Sequence, residues 1–486
     1  MSAARRTRAA AKGRAACASA APLVACAFAL VSGARAVEAR EAAPRTTGRV
    51  TETTPYETRA GDSLYSIAAR YLQNPADWKT LARVNRVSAP RRLQPGTVLR
   101  VPVALLRQDP LSATVIAANG PAQHAFRNGP LLPLRVGAKL VEGDRVQTGT
   151  NGFATLELAD GSHLVLPADT SLNLATLRQT VLTGATDRVV DLHRGEVNTE
   201  VTHATKKDDR FQIRSPSVVA GVRGTQFRVT YDGTHAAGAA TTVEVLDGAV
   251  GVDTTSLAQG WRGAYAAAPA PGQPLAASEQ LVLARYGSVT VAGEAAGSPV
   301  ALLEAPALQN ASKIQDDADV AFDLAPPSGA RGYRVQIGRD AGLLDLVRDV
   351  RSNAPHVSIG ALDDGTYFVR ISAIDARGLE GIPAAYAFER RRLALGASAG
   401  PIEGSRDFAF RWFVEQGAQD THFRFVLAAT PDLRVPLVDH PDIAAGEAVV
   451  RDLPKGVYYW TVIAEQFDHG RYYQKASPIQ SFRLDW

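Results

Sequence analysis

Two stretches near the carboxyl end of the chain are copies of one another, and they constrain the fold more than any other feature. Leu362-Asp363-Asp364-Gly365-Thr366-Tyr367-Phe368-Val369-Arg370-Ile371-Ser372-Ala373 and Leu453-Pro454-Lys455-Gly456-Val457-Tyr458-Tyr459-Trp460-Thr461-Val462-Ile463-Ala464 each set a turn at glycine before an alternating aromatic run. Alternation with period two puts successive side chains on opposite faces of a strand. An earlier strand of the same kind precedes each copy, Tyr333-Arg334-Val335-Gln336-Ile337 and Phe423-Arg424-Phe425-Val426-Leu427. Gly365 and Gly456 lie 91 positions apart, close to one sandwich domain of about 100 residues. The spacing predicts two consecutive β-sandwich repeats, 300–392 and 393–486, whose alternating Tyr and Trp side chains are core. The run Arg390-Arg391-Arg392 at their junction reads as a solvated interdomain surface.

The same strand logic extends upstream. Between Leu111 and Asp253 short alternating runs are punctuated by Glu142-Gly143-Asp144, Ala159-Asp160-Gly161 and Leu246-Asp247-Gly248, which predicts an all-β domain over 111–260. Residues 261–299, with the Ala/Pro-rich stretch Ala264–Ala277, read as a linker. The chain of 486 residues, with 41 glycines and 28 prolines, is therefore multidomain and mainly β.

One segment departs from this pattern. Pro55–Thr58 is a short strand, and Arg59-Ala60-Gly61 a turn. Asp62 or Ser63 stands where it can cap a helix. Leu64, Ile67, Ala68 and Tyr71 then follow at i, i+3, i+4 and i+7, one apolar helical face. Asn74-Pro75 opens a second helix carrying Trp78, Leu81 and Ala82. Residues 91–96 turn the chain, and Thr97–Val101 closes a small βααβ unit over 54–106.

Charge points to the same segment. Residues 1–36 hold Arg5, Arg6, Arg8, Lys12, Arg14 and Arg35 and no acid, so of 53 basic residues 47 remain against 49 acids in the rest. The basic pI belongs to the leader, and whole-chain charge gives no argument for nucleic-acid binding. Within residues 50–103, Arg59, Arg70, Lys79, Arg83, Arg86, Arg91, Arg92 and Arg100 face only Glu52, Glu57, Asp62 and Asp77. A cationic module on an acidic body suits an anionic polymer.

Residues 1–36 themselves read as a signal peptide: basic residues, an apolar run Ala15–Val31, then Ala34-Arg35-Ala36 as a cleavage site. Leu23-Val24-Ala25-Cys26 offers a competing reading, lipidation at Cys26, and an uncleaved anchor is a third. Residues 37–53 are a polar linker. Cleavage after Ala36 leaves a body without cysteine, hence without disulfide, thiolate nucleophile or Cys-ligated metal. No later stretch reaches the roughly 18 apolar residues of a membrane span, so membrane contact depends on Cys26 or a retained leader. The expected location is periplasmic or elsewhere in the cell envelope.

Gly61-Asp62-Ser63-Leu64, Ile67-Ala68, Asn85 and Leu93-Gln94-Pro95-Gly96-Thr97-Val98-Leu99 together resemble the LysM family. That resemblance implies binding of N-acetylglucosamine-containing glycan, chiefly peptidoglycan, in a groove between two loops. Carried over, one wall is Gly61, Asp62, Ser63, Leu64 and Tyr65, and the other is Leu93, Gln94, Pro95 and Gly96. Leu64 or Pro95 would receive the acetyl methyl, and the glycines would let the backbone approach. For Asp62 and Asn85 a purely structural role is expected.

The middle domain resembles the FecR family through Gly137–Gly149, Leu158–Leu164, Leu192–Val197, Arg214–Val229 and Val245–Val250. Members of that family relay signals to an anti-sigma segment. This chain departs from that plan, with no helical region read ahead of its apolar run and a LysM-like module after it, so the resemblance implies a protein-contact platform, with signal transduction as the alternative. Arg223 reads as a partly buried arginine bonding sheet carbonyls. The terminal repeats resemble fibronectin type III sandwiches.

Catalytic signatures are absent from the sequence: no Gly-x-Ser-x-Gly, His-Glu-x-x-His or phosphate loop. His193 and His203 lack ligand spacing, and Lys206-Lys207-Asp208-Asp209-Arg210 reads as a solvated loop rather than an acid–base pair. The expectation is a non-enzymatic protein without cofactor or metal, binding peptidoglycan through its LysM-like module and envelope proteins through its β domains.

Overall fold

The computed structural model describes residues 52–485 except 89, 203–205, 207–208, 223, 235–237, 256–277, 310–312, 393–394, 415–420 and 469–470. The leader with Cys26, most of the 37–53 linker, Arg223 and His203 lie outside the described residues. The described chain is mainly β, and its two α-helices both belong to the first module. No described helix is long and apolar enough to cross a membrane.

In that module β1 (Thr53–Glu57) pairs antiparallel with β2 (Val98–Pro102), with α1 (Leu64–Tyr71) and α2 (Trp78–Asn85) between them. Leu64, Ile67 and Ala68 of α1 meet Leu81, Tyr56, Leu99 and Val101 in one core, as the helical spacing requires. The second start differs from expectation. Asn74 caps only a single 3-10 turn, Pro75–Asp77, and α2 begins at Trp78. Proline fits the first position of either helix type, so its presence could not decide between them.

The strands from Gln108–Pro110 to Val300–Ala301 close into a barrel. Its spine is Thr186–Glu200, fifteen residues long. The first part pairs with Ser171–Thr180 and Arg210–Arg214, and the last part with His163–Leu166 and Gln226–Asp232. The change of partner comes at Gly195, where φ is +81° and a Cβ would lie 2.7 Å from the Thr170 Cα; only glycine fits both conditions. Leu, Val and Phe side chains from the inner faces fill the barrel.

The expected linker 261–299 is corrected over its second part. Gln280–Leu283 pairs with Ala249–Thr254, and Tyr286–Val291 with Ala240–Asp247, so both belong to the barrel. The Ala/Pro-rich composition before residue 278 hid two strands that are short and only partly apolar. At the other end the first module is packed onto the barrel. Leu72 bridges to a buried Leu106, Gln108–Pro110 is already a barrel strand, and Leu182 of the barrel packs on the module core.

Each terminal repeat is a sandwich. In the first, Ala307–Leu308, Val320–Ala325 and His356–Gly360 face a sheet ordered Ile314–Gln315, Ala384–Arg390, Gly365–Ile374, Gly332–Gly338, Leu346–Ser352. In the second, Leu395–Pro401, Phe408–Val414 and Glu447–Val450 face a sheet built on Thr421–Ala428 and Gly456–Asp468. Tyr367, Tyr458 and Trp460 are buried, and the two tyrosines donate to equivalent carbonyls four residues upstream, Asp363 at 3.1 Å and Pro454 at 2.7 Å. The Arg390-Arg391-Arg392 run is not a solvated surface. Arg390 is fully buried and donates to the carbonyls of Gln315 and Ala318 at 3.0 and 2.8 Å. Arg391 lies 4.2 Å from the ring centroid of Tyr473 in the second repeat. Local sequence shows three adjacent charges; Arg390 is enclosed by carbonyls 75 and 72 positions away and by that of Leu362, 28 positions away.

Candidate functional site

The nine residues expected to line a groove sit on two loops, one leaving β1 and one entering β2, and the fold bonds the loops together. The Leu64 N–H donates to the Pro90 carbonyl at 2.9 Å, and the Leu93 N–H to the Asp62 carbonyl at 3.4 Å. Thr58 fastens the base. Its hydroxyl donates to the Gln94 carbonyl at 2.6 Å and accepts the Thr97 N–H at 3.0 Å, while its carbonyl accepts the Gly96 N–H at 2.8 Å.

Within this frame the nine residues divide. Gly61, Tyr65, Gln94, Pro95 and Gly96 are exposed, Ser63 and Leu93 half-buried, and Asp62 and Leu64 buried. Asp62 Oδ2 accepts the Tyr56 hydroxyl at 2.8 Å and the Arg59 N–H at 2.7 Å, so its carboxylate holds the loop to β1. Burial, with the bond to Asp62, pushes the Tyr56 hydroxyl up to about 12 and keeps it a donor. Ser63 is the cap of α1, in a reciprocal pair: the Ser66 N–H donates to Ser63 Oγ at 3.1 Å and the Ser63 N–H to Ser66 Oγ at 2.9 Å.

Two expectations change at the level of side chains. Leu64 offers nothing to a ligand methyl, because its side chain is spent in the helix core. Of the apolar residues on the two loops, Pro95 is exposed and Leu93 half-buried against the module core, and Tyr65 is 62% exposed. Gly61 and Gly96 are glycine for their φ of +87° and +82°, with nothing within 4 Å of a Cβ on Gly61. The backbone turn, not close approach, selects the residue there. Asn85 clamps α2 to β2, donating to the Leu81 and Arg100 carbonyls and accepting the Arg100 N–H at 2.6 Å. All eight cations of the module are exposed, and none forms an ion pair among the described residues.

Residues 56–102 match the family model for the LysM domain. A second match, to the FecR protein family, covers residues 144–251. LysM and FecR domains are thus both present in this chain. No curated protein matches it. Among solved structures, a Parabacteroides distasonis protein described as a "putative anti-sigma factor" is 17% identical, with 32% of this chain and 57% of that chain covered and a TM-score of 0.22. The chain therefore spans little more than half of that protein's length. The chicken CNTN1 FN1–FN3 domains are 13% identical over 50% of this chain and 97% of that one, TM-score 0.21. The fibronectin(III)-like modules of Clostridium thermocellum CbhA are 13% identical over 36% and 90%, TM-score 0.19.

A second polar constellation was not visible in the sequence. Where the FecR-containing barrel meets the first sandwich, Arg334 lies at 2.6 Å from Glu196, 2.7 Å from Glu380 and 2.5 Å from Asp349. Arg228 reaches Glu380 at 2.5 Å and Glu244 at 3.3 Å, and Arg351 reaches Glu196 at 2.9 Å. Burial works against the charge on Glu380, but Arg228, Arg334 and Arg351 outweigh it and hold this carboxyl well below the usual range. Glu244 has the weaker partner geometry, and burial pushes it up to about 7. The cluster ties the two domains together, and removing one partner would strand a buried charge. Alternation assigns Arg334 and Gln336 to the outer face of their strand, which in isolation reads as a solvated face. Only the covering domain makes them interior.

Proposed function

We propose that this protein is a non-catalytic, exported envelope protein that holds peptidoglycan through its LysM domain. The FecR and sandwich domains form the platform it presents to envelope proteins. The observation that carries the reading is the pair of bonded loops with Gly61, Tyr65, Gln94, Pro95 and Gly96 exposed. They sit on a module whose cations are all turned to solvent. Exposed backbone and a flat aromatic suit an amide-bearing sugar, and unpaired cations attract an anionic polymer at long range. Acid–base catalysis, a cofactor and nucleic acid play no part in it.

The test is co-sedimentation of the chain from Val37 onward with insoluble peptidoglycan. Because Leu106 and Leu182 pack the module onto the barrel, point variants are better than deletion. Tyr65→Ala with Pro95→Asp should weaken retention about tenfold while leaving the fold intact, and raising salt should weaken it further. Retention unchanged by the double variant sinks the reading.

The FecR match over 144–251 supports a second reading, a transducer of envelope signals. A transducer needs a retained leader to carry its message across the membrane. A mature protein that begins at Val37 by N-terminal sequencing removes it.

A further inference from the structure

Among the described residues β1 is paired along one edge, by β2, and open along the other. Pro55 lies opposite Arg100 and has no N–H to give, whereas Thr58 does bond across the pair, to Thr97 and Gly96. Backbone groups alternate in direction along a strand. Thr54, Tyr56 and Thr58 therefore turn theirs toward β2, and Pro55 and Glu57 turn theirs outward. The open edge presents the Pro55 carbonyl, the Glu57 N–H and the Glu57 carbonyl.

Along this edge runs a cavity of about 620 Å³, within the roughly 300–1,000 Å³ of small-ligand sites. One wall is residues 54–59; the others are Tyr71 from the end of α1 and Leu182 and Thr183 of the barrel. The far wall is fixed. The Val181 N–H donates to the Arg107 carbonyl at 3.0 Å, and the Gly184 N–H to the Thr180 carbonyl at 2.7 Å. Glu57 and Arg59 are both exposed on the rim, and neither has an ion-pair partner among the described residues. The site thus combines an open strand edge, an apolar flank from Tyr71 and Leu182, one carboxylate and one guanidinium. It lies outside the two-loop groove but continues from it, because Thr58 and Arg59 lead directly into Gly61.

We infer that this cavity takes a short extended peptide bearing both an ammonium and a carboxylate, the stem peptide carried by the amino sugars of peptidoglycan. The peptide backbone adds to the open edge, accepting from the Glu57 N–H and donating to the Pro55 and Glu57 carbonyls. Its ammonium meets Glu57, its carboxylate meets Arg59, and its small apolar side chains lie on Tyr71 and Leu182. The barrel thereby completes a site that the LysM domain alone leaves open on one side. The inference rests on the glycan reading for the polymer to which the peptide is attached.

Four probes separate the two ideas in calorimetry with the chain from Val37 onward: an N-acetylglucosamine pentamer, a disaccharide-tetrapeptide muropeptide with a diamino acid at its third position, its peptide-free disaccharide, and the free tetrapeptide. The muropeptide should bind about tenfold more tightly than its peptide-free disaccharide. Glu57→Gln with Arg59→Gln should erase that tenfold difference and leave pentamer binding unchanged; both residues are exposed, so the fold survives. Thr183→Trp, which fills the cavity from the barrel side, should do the same. Equal binding of muropeptide and disaccharide overturns the inference, as does a double variant that weakens pentamer and muropeptide alike. Tetrapeptide binding lost in the double variant, with no pentamer binding at all, keeps the cavity and removes the glycan groove.

Discussion

The two terminal sandwiches carry the same arginine in two different solvents. Arg334 and Arg424 occupy the same place in equivalent strands, each opposite the equivalent strand of its repeat, at Ser372 and Ile463. Each pairs with an aspartate 15 positions on, Asp349 at 2.5 Å and Asp439 at 2.6 Å. Arg334 is 2% exposed beneath the barrel and gathers Glu196 and Glu380 as well. Arg424 and Asp439 stay 44% and 32% exposed, on a face that also shows Phe467 and Tyr472. One local pair is thus part of a buried domain joint in the first repeat and a solvated surface pair in the second. The lesson is that the energetic meaning of an ion pair lies in what covers it, since water screens the exposed one and desolvation raises the stakes of the buried one.

The sharpest way to break this comparison is to truncate both arginines. Arg334→Met leaves Glu196, Asp349 and Glu380 buried without their shared cation and should cost roughly 3–5 kcal/mol in urea denaturation. Similar losses for Arg334→Met and Arg424→Met would end the distinction. Proton linkage gives the next largest effect. Glu244 has a raised folded pKa, so the folded state binds the proton more tightly than the unfolded state between the ordinary carboxylate range and about 7. Stability should fall as pH rises through that window, and Glu244→Gln should flatten the fall when melting is followed from pH 5 to 8. Glu380 is shifted the other way, so its contribution is lost only at acid pH, below the ordinary carboxylate range.

Smaller effects sharpen the contrast. Arg391→Ala removes the cation stacked on Tyr473 between the repeats and should cost about 0.5–1 kcal/mol. A faster hydrogen exchange at Arg471–Ala476 than in the parent would report the loosened joint. Arg424→Met should change stability by less than about 1 kcal/mol, and its small effect should shrink further at high salt.

Much of the first module was legible because its signals are local. Helical spacing at Leu64, Ile67, Ala68 and Tyr71 and the serine cap depend on residues a turn apart, and so survive any tertiary context. The nine expected residues do share two bonded loops, but Asp62 and Leu64 turn inward because Tyr56, Arg59 and the helix core claim them. The strands at 280–291 were missed because an Ala/Pro-rich stretch beside them masked a short pattern. The ion joint left no trace, since its members are spread from Glu196 to Glu380 and each looks like an ordinary surface charge.

The sequence by itself determined the strands outside 280–291, the repeat of 91 residues, the small helical module and its cationic character, because period, turn residues and charge are properties of near neighbours. Tertiary structure decided which face of a repeated sandwich is interior, that Arg390 is buried while Arg424 is not, and that the barrel supplies a wall to a cavity beside β1. Those are contacts between segments up to a hundred or more residues apart, and a linear pattern of period two cannot say which of two equivalent faces another domain will cover.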